Sequence, residues 1–208
     1  MDSNRHYPTR AVAEKLLEEA SQENPGPWID HCRVVARVAE TIARKCGLDV
    51  EKAYVLGLLH DIGYAEFRDF KGRTSHILLG YERMINAGYD AVARICLTHS
   101  FPLKDINVYG GGDRYWSLEE EKFVHDYLNN LEFDDYDKLI QLGDAIGLAD
   151  GVTLMDKRLL SVLLRHGFGP LTIEKYKSFF EVKSYFDQKC GENIYNFFKE
   201  EIINSIFT

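Results

Sequence analysis

The chain lacks a Cys-x-x-Cys pair, an internal repeat, a low-complexity tract and any stretch of alternating polar and apolar residues. The missing alternation argues against a sheet and leaves an all-α fold as the expectation. No apolar run approaches the roughly 20 residues that span a bilayer, and Met1 to Arg10 is polar with no signal core. A cytoplasmic protein with no membrane partner is therefore expected. Its four cysteines, Cys32, Cys46, Cys96 and Cys190, then read as free buried thiols of a reducing compartment. Positive charge is scarce as well: 25 Lys and Arg stand against 33 Asp and Glu, for a net charge of -8. Such a surface gives nucleic acid no general attraction, so no nucleic-acid partner is expected. A phosphate-bearing substrate would need a local positive centre, such as a metal.

What is present is apolar material, 45% of the 208 residues, and 12% aromatics. That composition supports one packed domain and excludes global disorder. Residues 1–27 read as an N-terminal helix and connection, 28–150 as a core, and 151–208 as a C-terminal helical extension packed on that core. Helical periodicity predicts segments at Thr9–Ala20, Trp28–Cys46 (stopped by Gly47), Lys52–Asp61, Ser75–Ala87, Tyr89–Leu97, Ser117–Asn129, Tyr136–Ile146 and Ile173–Lys189. Pro102–Trp116 is the longest stretch without that period. Its Tyr109, Tyr115 and Trp116 could stack a nucleobase.

The histidines divide into two groups. His6, His125 and His166 have polar or charged neighbours and read as surface residues. His31, His60, His76 and His99 each fall at or near the end of an apolar helical segment, where side chains from several helices can converge. Asp61 follows His60 directly, and a carboxylate in so apolar a setting costs several kcal/mol, by order of magnitude, unless a cation answers it. Imidazole with carboxylate suits Mn, Fe, Co, Ni or Zn rather than Ca. The His-Asp dipeptide alone is weak, because chance supplies it about once in two chains of this composition. Order and context carry the weight.

In that order His31 opens His-Cys-Arg-Val-Val-Ala. Gly57-Leu58-Leu59-His60-Asp61-Ile62-Gly63 follows, and Asp144 closes Leu139-Ile140-Gln141-Leu142-Gly143-Asp144. This arrangement resembles the HD superfamily of metal-dependent phosphohydrolases, in its His-Asp-Ile-Gly subgroup. His76 with Gly80 four residues later, and His99 ending the next helix, match the members that hold two metals. The resemblance implies an HD-type helical bundle with one or two divalent ions, of the Fe, Mn, Co, Ni, Zn or Mg class, on His31, His60, Asp61, His76, His99 and Asp144. Asp61 would bridge them and orient water. Asp150, a rival for the last ligand, comes a turn and a half too late.

The implied activity is hydrolysis of a phosphoester or phosphoanhydride in a small phosphorylated molecule, a nucleotide first, as in the bacterial symmetrical dinucleoside polyphosphate hydrolases. Arg73, Lys71 and Lys104 are the candidate phosphate contacts. Ser100-Phe101-Pro102 after His99 departs from the Gly-Tyr-Pro signature of cyclic dinucleotide phosphodiesterases. Two alternatives share the ligand pattern or the fold: a di-iron oxygenase and a non-catalytic signalling module. A homodimer is compatible with all of them.

Overall fold

The computed structural model describes residues 6–67, 75–109 and 116–207. Ten α-helices account for most of them: α1 (Arg10–Glu23), α2 (Trp28–Cys46), α3 (Val50–Leu59), α4 (His76–Asn86), α5 (Asp90–Thr98), α6 (Leu118–Asn129), α7 (Asp135–Ile146), α8 (Met155–His166), α9 (Thr172–Cys190) and α10 (Lys199–Ile206). Short 3-10 helices sit at Ile62–Ala65, Ile106–Val108 and Ile194–Phe198. The fold is an all-α bundle, and the helix ends follow local chemistry. The Asp49 side chain accepts from the Lys52 N–H to start α3, and Ser117 and Glu120 form a capping box at α6. Gly47, at φ +73°, ends α2 in the left-handed conformation.

Two features depart from the sequence reading. A two-stranded antiparallel hairpin, β1 (Gly147–Leu148) with β2 (Gly151–Val152), follows α7; two residues per strand are too few for any alternation to be visible. Cys46 and Cys190, expected as free thiols, are joined in a disulfide with Cα atoms 4.9 Å apart. They end α2 and α9 at a sequence separation of 144, a pairing that spacing cannot reveal. Cys32 and Cys96 are free and buried. Among the described residues no helix is long and apolar enough to cross a membrane.

The main core joins α1, α2, α3, α5 and α7 to the C-terminal helices, since Phe179, Val182, Phe186, Ile194, Phe198 and Ile202 belong to the same buried cluster as Val35, Leu56 and Leu142. Arg37 of α2 also makes paired hydrogen bonds to the Glu201 carboxylate of α10, at 2.7 and 2.6 Å. A smaller cluster under α6 gathers Ile77, Leu97, Phe101, Val108, Val124 and Leu128.

Below the junction of α5 and α7 lies a fully buried carboxylate, Asp137, held by the Arg94 guanidinium and by the Thr98 hydroxyl at 2.7 Å. Removing one partner of such a pair leaves a buried charge unanswered. Arg94→Met is expected to lower unfolding free energy by about 3 kcal/mol, read by urea denaturation. A loss below about 1 kcal/mol would place the pair in the weak class of surface bridges.

Candidate metal centre

Six side chains from five helices and one junction converge. His31 lies in the first turn of α2 and Asp144 in the last turn of α7, and His31 Nε2 is 3.1 Å from Asp144 Oδ1. His60 is the C-cap of α3; Asp61 follows it, at the turn into the 3-10 helix. His76 is the first residue of α4, and His99 is the C-cap of α5. Placing the ligands at helix ends lets the backbones diverge while the side chains meet.

Two glycines set how closely these ends approach. A Cβ on Gly63 would lie 1.9 Å from the His76 carbonyl oxygen and 2.4 Å from the Gly80 nitrogen. Gly80 in turn packs against Cys96. The glycine of His-Asp-Ile-Gly and the glycine one turn after His76 are therefore two sides of one backbone contact, which brings His76 to Asp61.

Asp61 divides the imidazoles into two pairs. Its Oδ1 is 3.3 Å from both His76 Nε2 and His99 Nε2. Its Oδ2 is 3.5 Å from His60 Nε2 and 3.9 Å from His31 Nε2. Two donor groups among the described residues have the spacing to hold an ion: His31, His60 and Asp144, and His60, Asp61 and His99, each with ligand atoms within 4.8 Å of one another.

The protonation pattern fits a cation. His60 Nδ1 donates to the Gly57 carbonyl at 2.8 Å, and His99 Nδ1 donates to the Ile95 carbonyl at 3.0 Å. A carbonyl can only accept, so in each neutral ring Nε2 carries the lone pair and faces the centre. His60 Nε2 and Asp61 Oδ1 are buried with no hydrogen-bond partner. Burial pulls His60 and His76 down to about 4 against the pull of Asp61, so both are neutral donors at neutral pH. For His99 burial also opposes charge, yet the nearby Asp61 carboxylate outweighs it and raises the ring overall. Asp61 itself is held well below the usual carboxylate range: burial works against its charge, and His60, His76 and His99 outweigh it. A lone pair pointed at a carboxylate oxygen is repulsive until a proton or a metal lies between them.

The other predicted residues are placed differently. Asp150 is exposed at the hairpin turn, away from the cluster. Lys104 pairs with Glu132 at 2.8 Å, with its ammonium 5.9 Å from the Phe133 ring, and meets none of the six ligands. Lys71, Arg73 and Tyr115 lie outside the described residues. Tyr109 is stacked against both Phe101 and Trp116, so these rings pack on each other rather than offering an open face.

Two neighbours escaped the sequence reading. Tyr64 stacks on His76 at 4.3 Å, and its phenol is pushed well up by burial, with Asp61, Tyr109 and Asp144 adding and Arg158 opposing. Arg158 of α8 reaches within 3.9 Å of Asp144 Oδ1. Tyr64 directly follows the signature and could have been included on that ground. Arg158 sits in Asp156-Lys157-Arg158, which reads as an ordinary polar helix face.

The HD domain family matches residues 28–147, more than half of the chain. The chain belongs to the HD domain family. Its matched span includes all six clustered side chains and stops at the first residue of the hairpin. Curated relatives of this HD domain include ribonuclease Y of Mycoplasma capricolum, 43% identical over 67 residues, which are 32% of this chain and 13% of that protein. Ribonuclease Y of Mycoplasma mycoides is 52% identical over 52 residues, 25% of this chain and 12% of the relative. That of Mesoplasma florum is 44% identical over 62, or 30% and 12%. The chain thus spans about an eighth of the length of these relatives. No solved structure matches it. Family membership supports a metal-dependent hydrolase, and HD domains bind divalent metals.

Proposed function

We propose that this HD domain hydrolyses a phosphoester or phosphoanhydride bond of a small phosphorylated molecule, a nucleotide first, using two divalent ions. One observation carries the reading: each oxygen of Asp61 faces its own pair of imidazole nitrogens, the arrangement of a bridging carboxylate. His31, His60 and Asp144 would complete one ion's shell, and His76 and His99 the other's. Divalent ions there supply Lewis acidity toward a phosphoryl oxygen and acidify water near neutral pH.

The chain's own residues do the rest. The Gly57 and Ile95 carbonyls fix the tautomers of His60 and His99. Tyr64 locks the plane of His76. Leu58, Leu59, Ile62 and Leu97, buried residues next to the ligands in sequence, keep the surroundings apolar, and a low dielectric strengthens charge interactions.

The relatives' name, ribonuclease, refers to cleavage of RNA, itself a phosphodiester. The net charge of -8 favours a small substrate over a polymer. The test combines metal analysis of the purified protein with product assays on nucleotides, dinucleoside polyphosphates and a short RNA, with Mn²⁺, under air and under nitrogen. Two ions per chain and equal release of phosphate or nucleotide in both gases are expected. A product formed only with iron and oxygen would replace hydrolysis with oxygenase chemistry, and preferential cleavage of RNA would move the substrate class to the polymer.

A further inference from the structure

Beyond the six ligands, one charged group near the centre has no proper partner. Arg158 is only 18% exposed, and its one ion pair is the 3.9 Å approach to Asp144 Oδ1, too long for a hydrogen bond. Among the described residues its guanidinium makes no hydrogen bond, although it offers five N–H donors in a rigid fork. Two other part-buried guanidinium groups are well answered: Arg94 has Asp137 and the Glu132 carbonyl, and Arg83 has Glu23 and Glu66. Asp144 is hydrogen-bonded by His31 instead. If Asp144 turns its charge to a metal, as the proposed function requires, Arg158 loses even its distant counter-charge. A part-buried cation whose N–H groups stay open to solvent at the edge of the centre is then suited to an anion.

The surroundings agree. Met155 and Leu159, on either side of Arg158 in α8, are buried and anchor the helix, so the arginine is placed rather than free to swing away. Its approach to Asp144, a donor in the cluster, sets the guanidinium at the edge of the centre. A second cation comes from α9: Lys175 donates to the Val108 carbonyl at 3.0 Å, burial pulls its ammonium down, and Asp144 partly restores it. Both cations belong to residues beyond the matched HD span.

We infer that Arg158 binds a non-bridging phosphate oxygen of the substrate at the metal centre, making the C-terminal helices part of the substrate site. This rests on the proposed phosphohydrolase reading and deepens it. A planar guanidinium suits two oxygens of one phosphate group, so the site should favour a phosphate with at least two free oxygens.

The probe is inorganic phosphate, titrated calorimetrically into the Mn²⁺-loaded protein, alongside p-nitrophenyl phosphate kinetics. Arg158→Met keeps volume and removes the fork; Arg158→Lys keeps charge; Arg165→Met, farther along α8, is the control. In Arg158→Met, phosphate affinity is expected to fall about tenfold or more and KM to rise by a similar factor. Kcat should change less. The Lys variant should recover part of the loss, and Arg165→Met should match the wild type. Mn²⁺ affinity, measured separately, should be unchanged or tighter, because a cation beside the ions has been removed; this separates phosphate binding from support of the metal site. Unchanged phosphate affinity and KM in a fully Mn²⁺-loaded Arg158→Met protein would overturn the inference alone. A wild type that neither binds phosphate nor releases it from any ester would overturn the hydrolase reading and this inference together.

Discussion

Asp61→Asn is expected to leave a folded protein that has lost its metals and, with them, its hydrolytic activity by about 1,000-fold or more. Asparagine has nearly the same shape, so the turn from α3 into the 3-10 helix is kept. What changes is the acceptor set. One oxygen becomes an NH₂ group with no lone pair, and the remaining oxygen carries no formal charge. Whichever way the amide turns, one imidazole pair, His31 with His60 or His76 with His99, faces a donor that cannot ligate. Mn²⁺ affinity is expected to weaken at least about 100-fold, measured calorimetrically. Far-ultraviolet circular dichroism and the melting temperature of the chelator-treated protein should stay near the wild type. Two Mn²⁺ ions per chain at wild-type affinity in the Asn variant would end the bridging role of Asp61 and the two-ion proposal with it.

Gly63→Ala is expected to be the most damaging single methyl group in the molecule. Its Cβ would overlap the His76 carbonyl oxygen at 1.9 Å and crowd the Gly80 nitrogen at 2.4 Å. Both are backbone atoms, so no side-chain rotation relieves the clash and α4 must move away from the 3-10 helix. The expected cost is about 3 kcal/mol, with loss of metal affinity because His76 and Asp61 separate together. Gly47→Ala makes the comparison informative. Nothing lies within 4 Å of that Cβ, but φ is +73°. It should cost about 1 kcal/mol and leave metal binding intact. Equal urea midpoints for the two variants would mean that the approach of Gly63 to α4 is not a tight one.

Much of this architecture could be read from the sequence because its causes are local. Thr9 and Ser117 announce the starts of α1 and α6 by the hydrogen bonds their side chains can make, and Gly47 announces the end of α2, whereas α3 begins at Val50 behind its Asp49 cap rather than at the expected Lys52. The six clustered residues were legible for a second reason: their order matches a family pattern, which stores three-dimensional proximity as spacing. Where neither cause operates, the sequence is silent. The Cys46–Cys190 bridge joins helix ends 144 residues apart. Arg158 looks like any arginine on a polar helix face until α8 is laid against α7. Lys104 looked suited to phosphate because it follows His99 closely in sequence, yet the chain turns it toward Glu132. Nearness along the chain singled out Lys104, and distance along the chain hid the approach of Arg158 to Asp144.

The donors also have a thermodynamic consequence. They come from the termini of α2, α3, α4, α5 and α7, so a cation held by all of them would be a cross-brace fastening half of the helices at a single point. No unfolded form of the chain presents those six side chains together. Mass action then ties occupancy to thermal resistance, by roughly 4 kcal/mol when free metal stands a thousandfold above its dissociation constant. The temperature at which this molecule melts is thus a gauge of how full its centre is, readable without any substrate in hand.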